Sequence, residues 1–137
     1  MDPQENTKLV QQGYQHFKSG NIPALLDMLS DTVEWIFPDM EGITIGGKRR
    51  GRKEVADFYA KLAETQELLS FEPREFVAQG DKVVVLGHYS FRIKATGQQF
   101  ESDFAEAFNI KNGKVTRFQE YCDTAAAEVA YRTARAA

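Results

Sequence analysis

Gln99-Phe100-Glu101-Ser102-Asp103-Phe104-Ala105-Glu106-Ala107-Phe108-Asn109-Ile110-Lys111, then Asn112-Gly113, then Lys114-Val115-Thr116-Arg117-Phe118-Gln119-Glu120-Tyr121-Cys122 is the stretch that decides the fold. Two alternating runs flank Asn-Gly, a dipeptide suited to a tight two-residue hairpin turn. Successive strand side chains point to opposite faces. Phe104, Glu106, Phe108 and Ile110 therefore share one face, opposite Asp103, Ala105, Ala107 and Asn109. The first set is the more apolar and is expected to face inward. On the second run the better inward set is Phe118, Glu120 and Cys122. Each inward set thus carries one glutamate among apolar neighbours.

Working toward the N-terminus, Thr96-Gly97 separates this stretch from a strand-like run over about 82–94, and Gly80-Asp81 separates that run from another over about 68–79, again turn signals. On 82–94 the faces Val84, Leu86, His88, Ser90 and Val83, Val85, Gly87, Tyr89 are equally apolar, so periodicity does not choose between them. Four strands joined by short turns predict an antiparallel meander. Before it the period is helical. Val55, Phe58, Tyr59 and Leu62 predict a helix over 53–67. Residues 39–51, with four glycines, read as a loop. Val33, Trp35 and Phe37 alternate in a short strand ended by Pro38. Leu9, Val10, Gly13, Tyr14 and Phe17 predict a first helix stopped by Gly20, and Asn21 caps a second around Leu25, Leu26 and Leu29. The Ala-rich tail after Asp123 predicts a last helix. Helices first and a meander second give an α+β class, with one domain over 1–137 and the helices on one face of the sheet.

Bulk properties exclude several functions. Of 137 residues 42% are hydrophobic and 27% charged, as in an ordinary globular chain, and the formal net charge of −3 recruits neither nucleic acid nor anionic lipid. The polar, acidic start Met1-Asp2-Pro3-Gln4-Glu5 is not a secretion signal, and no run has the roughly 18 apolar residues of a membrane span. A cytoplasmic address is expected, with no membrane partner. The lone Cys122 excludes an internal disulfide, and two histidines without paired spacing suggest no metal. The basic run Lys48-Arg49-Arg50-Gly51-Arg52-Lys53 is expected to be a solvated loop.

Several short landmarks recur in a fixed order: Lys18-Ser19-Gly20-Asn21; Asp31-Thr32-Val33-Glu34-Trp35 with Pro38; Gly47 to Gly51 ahead of Val55-Ala56-Asp57-Phe58-Tyr59; Gln79-Gly80-Asp81-Lys82-Val83; and Asn112 through Asp123. On these the chain resembles the SnoaL-like, polyketide cyclase-like branch of the nuclear-transport-factor and ketosteroid-isomerase-like superfamily over nearly its whole length. The resemblance implies a cone-shaped α+β barrel: three helices and a strongly curved antiparallel sheet around a cavity, with a homodimer formed through the sheet's outer face. Tyr121 and Asp123 fit the usual family ending, as structural residues or near that interface.

The ketosteroid-isomerase constellation is absent. Phe37 stands where that resemblance puts the base, Gly13 (with Tyr14 beside it) where it puts the oxyanion-stabilising tyrosine, and Phe104 near the protonated acid. The proposed base of the polyketide cyclases, seven residues after the turn glycine, falls on Glu120, counting from Gly113. The resemblance thus implies a cofactor-independent cyclase or isomerase: Glu120 as general acid/base, Glu106 or His88 as its partner, Tyr14 as a donor to a substrate oxygen. The substrate would be a small, mostly apolar, carbonyl-containing molecule. Trp35, Phe37, Phe58, Tyr59, Phe104, Phe108 and Phe118 are the candidate lining residues, with Cys122 as a small apolar one. The other function considered is a non-catalytic carrier of the same kind of ligand; a protein–protein adaptor is a third.

Overall fold

Asp2 starts the first helix by accepting the Glu5 N–H at 2.8 Å, with Pro3 in the opening turn. The computed structural model describes residues 2–132. Helix α1 (Pro3–Lys18) ends at Ser19-Gly20, where Gly20 takes a φ of 75°. Asn21 caps α2 (Ile22–Asp27) through the Ala24 N–H. Strands β1 (Leu29–Phe37) and β2 (Gly47–Arg50), helix α3 (Gly51–Thr65) and the strands β3 (Gln66–Gln79), β4 (Lys82–Ile93), β5 (Gln99–Lys111) and β6 (Lys114–Cys122) follow. Helix α4 (Thr124–Tyr131) closes the order, capped by Asp123 on the Ala126 N–H; residues 133–137 of the expected tail helix lie outside the described residues. No helix among the described residues is long and apolar enough to cross a membrane.

The six strands form one curved sheet in the order β2-β1-β6-β5-β4-β3. β3 through β6 are the expected meander. Asn112 and Gly113 both take positive φ, 51° and 75°, as a two-residue hairpin of matching twist requires. One pairing departs from an all-antiparallel sheet, because β1 lies parallel to β6, with Trp35 opposite Phe118. Curvature is helped by register shifts in β3 and by Gly87, where a Cβ would meet the Glu72 carbonyl oxygen and the Phe104 ring.

The 39–51 region is not all loop. Gly47–Arg50 is a strand held by backbone pairing with β1, so the basic run is not a loop, although its Lys48 and Arg50 side chains stay well exposed. Lys48 and Arg50 flank the Glu34 carboxylate at 3.9 and 3.5 Å. Arg49 donates to the Thr44 and Ile45 carbonyls and covers the Phe58 ring. Arg52 grips the Leu29 carbonyl with two N–H groups. Helix α3 starts at Gly51, earlier than the apolar period indicates, because the Glu54 carboxylate accepts the Arg50 N–H at 2.8 Å and closes the first turn. It stops at Thr65, since Gln66 is already extended and paired with Ile93.

Candidate functional site

The undecided strand settles the interior. On β4, Val83, Val85, Gly87 and Tyr89 point inward and are buried, while Leu86 and His88 are on the outer face. On β5 and β6 the inward residues are those periodicity selects: Phe104, Glu106, Phe108 and Ile110, and Phe118 with Glu120.

Glu106 and Glu120 are Cα partners across the β5–β6 ladder and are only 6% and 2% exposed. Tyr14, from the buried side of α1, donates its hydroxyl to Glu106 Oε1 at 2.7 Å. Tyr89, from β4, donates to Glu120 Oε2 at 2.6 Å. Glu120 Oε1 has no ordinary donor; the group it meets is the Glu106 carboxyl. Two adjacent buried carboxyls cannot both be ionised at ordinary cost, so they share a proton. Burial raises Glu106 above the usual glutamate value, while the hydrogen bonds from Glu120 and Tyr14 pull it back. Burial raises Glu120 well above that value, and the negative charge of Glu106 pushes it further. Both shifts run the same way, so the pair favours holding a proton over full ionisation. Both phenols are held far above the ordinary tyrosine value, chiefly by burial, and stay neutral donors.

Between this pair and the helices is a cavity of about 100 Å³. Of the sequence-derived lining candidates, Tyr14, Trp35, Phe37, Phe58, Tyr59, Phe108, Phe118 and Cys122 all contribute to its wall. Phe104 does not. Its ring is stacked against Phe71 and Tyr89, with centroids 5.2 and 5.1 Å away, and fills the space that Gly87 leaves. Glu106 is on the wall, whereas Glu120 is enclosed behind it. His88 is not brought to the pair at all. It is on the opposite face, bonded to Asp103 at 2.9 Å and Glu101 at 2.8 Å, and the Asp103 hydrogen bond leads the effects that raise its pKa. Among the described residues no three His, Cys, Asp or Glu side chains converge as a metal site.

Sequence reasoning missed Tyr89, because its strand face could not be chosen, and also Phe71 and Gln66. Gln66 carries no periodic signal as the first residue of β3; its amide donates to the Tyr131 hydroxyl at 2.6 Å. The Cys122 thiol, beside the Tyr89 hydroxyl, is pushed up by burial and is not an activated nucleophile. The Trp35 Nε1–H is buried without an acceptor, an arrangement that costs about 1–3 kcal/mol.

A sequence model of the SnoaL-like domain matches residues 10–118. The chain belongs to the SnoaL-like domain family. Solved relatives agree with this membership. An NTF2-like protein from Burkholderia xenovorans LB400 is 34% identical over 96% of this chain and 99% of its own, with a TM-score of 0.87. An NTF2-like protein of unknown function from Burkholderia pseudomallei K96243 is 27% identical over 95% and 98%, at 0.86. TerC, co-crystallised with polyporic acid, is 28% identical over 92% and 97%, at 0.81. No curated protein matches this SnoaL-like chain.

Proposed function

We propose that this SnoaL-like protein binds a small, mostly apolar carbonyl compound in its cavity and acts on it by general acid/base chemistry, as a cofactor-independent cyclase or isomerase. The observation that carries the reading is the buried cross-strand pair Glu106–Glu120, with Glu106 on an aromatic wall. A carboxylate kept above its ordinary pKa by burial is a better base, and it works where water does not compete. Glu106 takes a proton from the carbon next to the carbonyl, and the C–H electron pair moves through the new C=C to the oxygen. Returning that proton to another carbon isomerises the compound. Attack of the enolate carbon on a second carbonyl closes a ring, and the proton from Glu106 goes to the new alkoxide. In this reading Glu106 touches the substrate and Glu120 is a positioning residue that tunes it; the Tyr14 proton is already given to Glu106, so Tyr14 orients the base.

The test is deuterium exchange. A small methyl ketone, 2-butanone, of a size suited to a cavity of about 100 Å³, is incubated in D2O with wild type or Glu106→Gln, and loss of its methyl proton signal is followed. Wild type is expected to exchange the protons about 100-fold faster than the variant, or more. Equal rates, with ligand bound and unaltered, would leave the non-catalytic carrier, a reading favoured by Gly13, Phe37 and Phe104 at the isomerase positions.

The expected homodimer has its support on the outer face, where Leu86 and Tyr121 flank Ala105 and are 38% and 53% exposed. Light scattering of wild type and Leu86→Glu tests it: a dimer that becomes a monomer supports the assignment.

A further inference from the structure

We infer that the Tyr59 hydroxyl donates to the carbonyl oxygen of the ligand while the C–H beside that carbonyl meets Glu106, and that the ligand is a short-chain aldehyde or ketone. The inference rests on the reading of the cavity as an acid/base site. It adds the group that receives the developing charge and the size of the compound.

Taking a proton from the carbon next to a carbonyl moves an electron pair onto the oxygen. In an apolar interior that negative charge needs a donor already aimed at it. Most polar groups near the cavity are committed elsewhere. Tyr14 gives its proton to Glu106, Tyr89 gives its own to Glu120, and the Gln66 amide nitrogen is bonded to Tyr131. The Trp35 N–H is sealed in its packing. Tyr59 differs on both counts. Its side chain is part of the cavity wall, and among the described residues its hydroxyl has no hydrogen-bond partner, yet it is not one of the fully shielded unpaired atoms. A phenol O–H that is unpaired and still reachable is completed by an acceptor entering the cavity.

The position follows from the helix. Tyr59 comes from the inward side of α3, next to the buried Phe58. Its ring is held by Phe58 at 5.0 Å between centroids, by Trp35 of β1 at 5.7 Å and by Phe17 of α1 at 6.0 Å. Three neighbours from three elements fix where the hydroxyl points. The phenol feels the charge of Glu106, and less that of Glu120, but bonds to neither, so there is a gap between donor and base. Burial first, and then those two charges, hold the Tyr59 pKa well above the ordinary tyrosine value. Tyr59 therefore keeps its proton throughout. Glu106 receives the carbon-bound proton, the electron pair goes to the oxygen, and the Tyr59 O–H strengthens its bond to that oxygen as charge builds.

Size limits the substrate. A dry cavity of about 150 Å³ holds one benzene ring. The space here is smaller, about 100 Å³, so the compound is a chain of about three to five carbons and not a fused ring system. Leu25, Met28 and Leu62 on the wall offer alkyl surface to that chain.

The test uses 2-butanone enriched with 13C at the carbonyl, with wild type, Tyr59→Phe and Glu106→Gln. A hydrogen bond to the oxygen moves the carbonyl carbon downfield. The bound signal in wild type and Glu106→Gln should be downfield of that in Tyr59→Phe, and Tyr59→Phe should exchange the ketone's protons in D2O about 100-fold more slowly than wild type. Because the hydroxyl has no partner in the protein, its removal should not lower the urea midpoint, as loss of a structural hydrogen bond would. A bound carbonyl signal that is the same in Tyr59→Phe as in wild type overturns the donor role, while faster exchange by wild type than by Glu106→Gln keeps the acid/base reading. Binding without exchange removes the acid/base reading, and the 13C shift still decides the donor. If wild type does not bind the ketone, both fall. Should Tyr59→Phe fail to fold, wild type decides: a bound signal upfield of its position in water, toward that in hydrocarbon, overturns the donor, and one at or downfield of the water position supports it.

Discussion

Glu106 and Glu120 face each other across the β5–β6 ladder, and each is held from its far side by a tyrosine from a different element, Tyr14 of α1 and Tyr89 of β4. Four polar side chains thus form one line through an otherwise apolar interior. Such a line is costly to build and sensitive to the loss of any member.

Stability is expected to fall as pH rises. Both glutamates have folded-state pKa values above the ordinary 4.5. Below 4.5 both states are protonated and their contribution is fully present; above it the unfolded chain ionises first, so the folded state holds more protons. The contribution is then lost until pH passes the folded values, at up to about 1.4 kcal/mol per pH unit for each group. Urea midpoints at several pH values should decline from pH 5 to 8, and Glu120→Gln should flatten that decline. An unchanged slope would contradict the shared proton.

Tyr89→Phe should cost about 1–3 kcal/mol, because it leaves Glu120 Oε2 buried without a donor. Tyr14→Phe should cost a similar amount and also raise the pKa of Glu106, since the hydrogen bond it removes favours the ionised form. Chemical denaturation measures the first effect. The carboxyl 13C titration of Glu106 measures the second, with an upward midpoint shift expected.

Much of this line was legible before the structure. The alternation on 99–111 and 114–122 selects Glu106 and Glu120 as inward, and the Asn112-Gly113 turn sets their strands side by side. Tyr89 was not legible, because Val83 and Val85 are matched by Val84 and Leu86 on the other face, leaving no hydrophobic contrast to read. Strand β2 escaped for a different reason. Gly47-Lys48-Arg49-Arg50 has little strand propensity of its own and is held by a distant partner, β1, and by its charges against Glu34. Trp35 could be named as a wall residue, but its unpaired N–H appears only when every acceptor around it has been placed.

Gly87→Ala should be among the more damaging single-methyl additions. The new Cβ meets backbone at Glu72 as well as the Phe104 ring, and backbone cannot swing aside as a side-chain end can. A loss of about 3 kcal/mol is expected, at the upper end of overpacking costs. A lowered urea midpoint with an unchanged slope is the readout.

Cys122 should be a slow thiol. Burial raises its pKa, so little thiolate exists at neutral pH. Alkylation by iodoacetamide at pH 7.5 should run about tenfold slower than in the urea-unfolded chain. Equal rates would show a thiol more open than this packing allows.

The parallel seam between β1 and β6 also bears on the order of assembly. Trp35 meets Phe118 only after β3, β4 and β5 have been made, so the first strand of the sheet is completed by the last. During synthesis the N-terminal third must wait with its inward aromatic residues uncovered, which favours slow folding and a need for protection from aggregation. Quenching or enhancement of the single tryptophan's fluorescence by that stack would then mark the closing step of folding, later than formation of the hairpins.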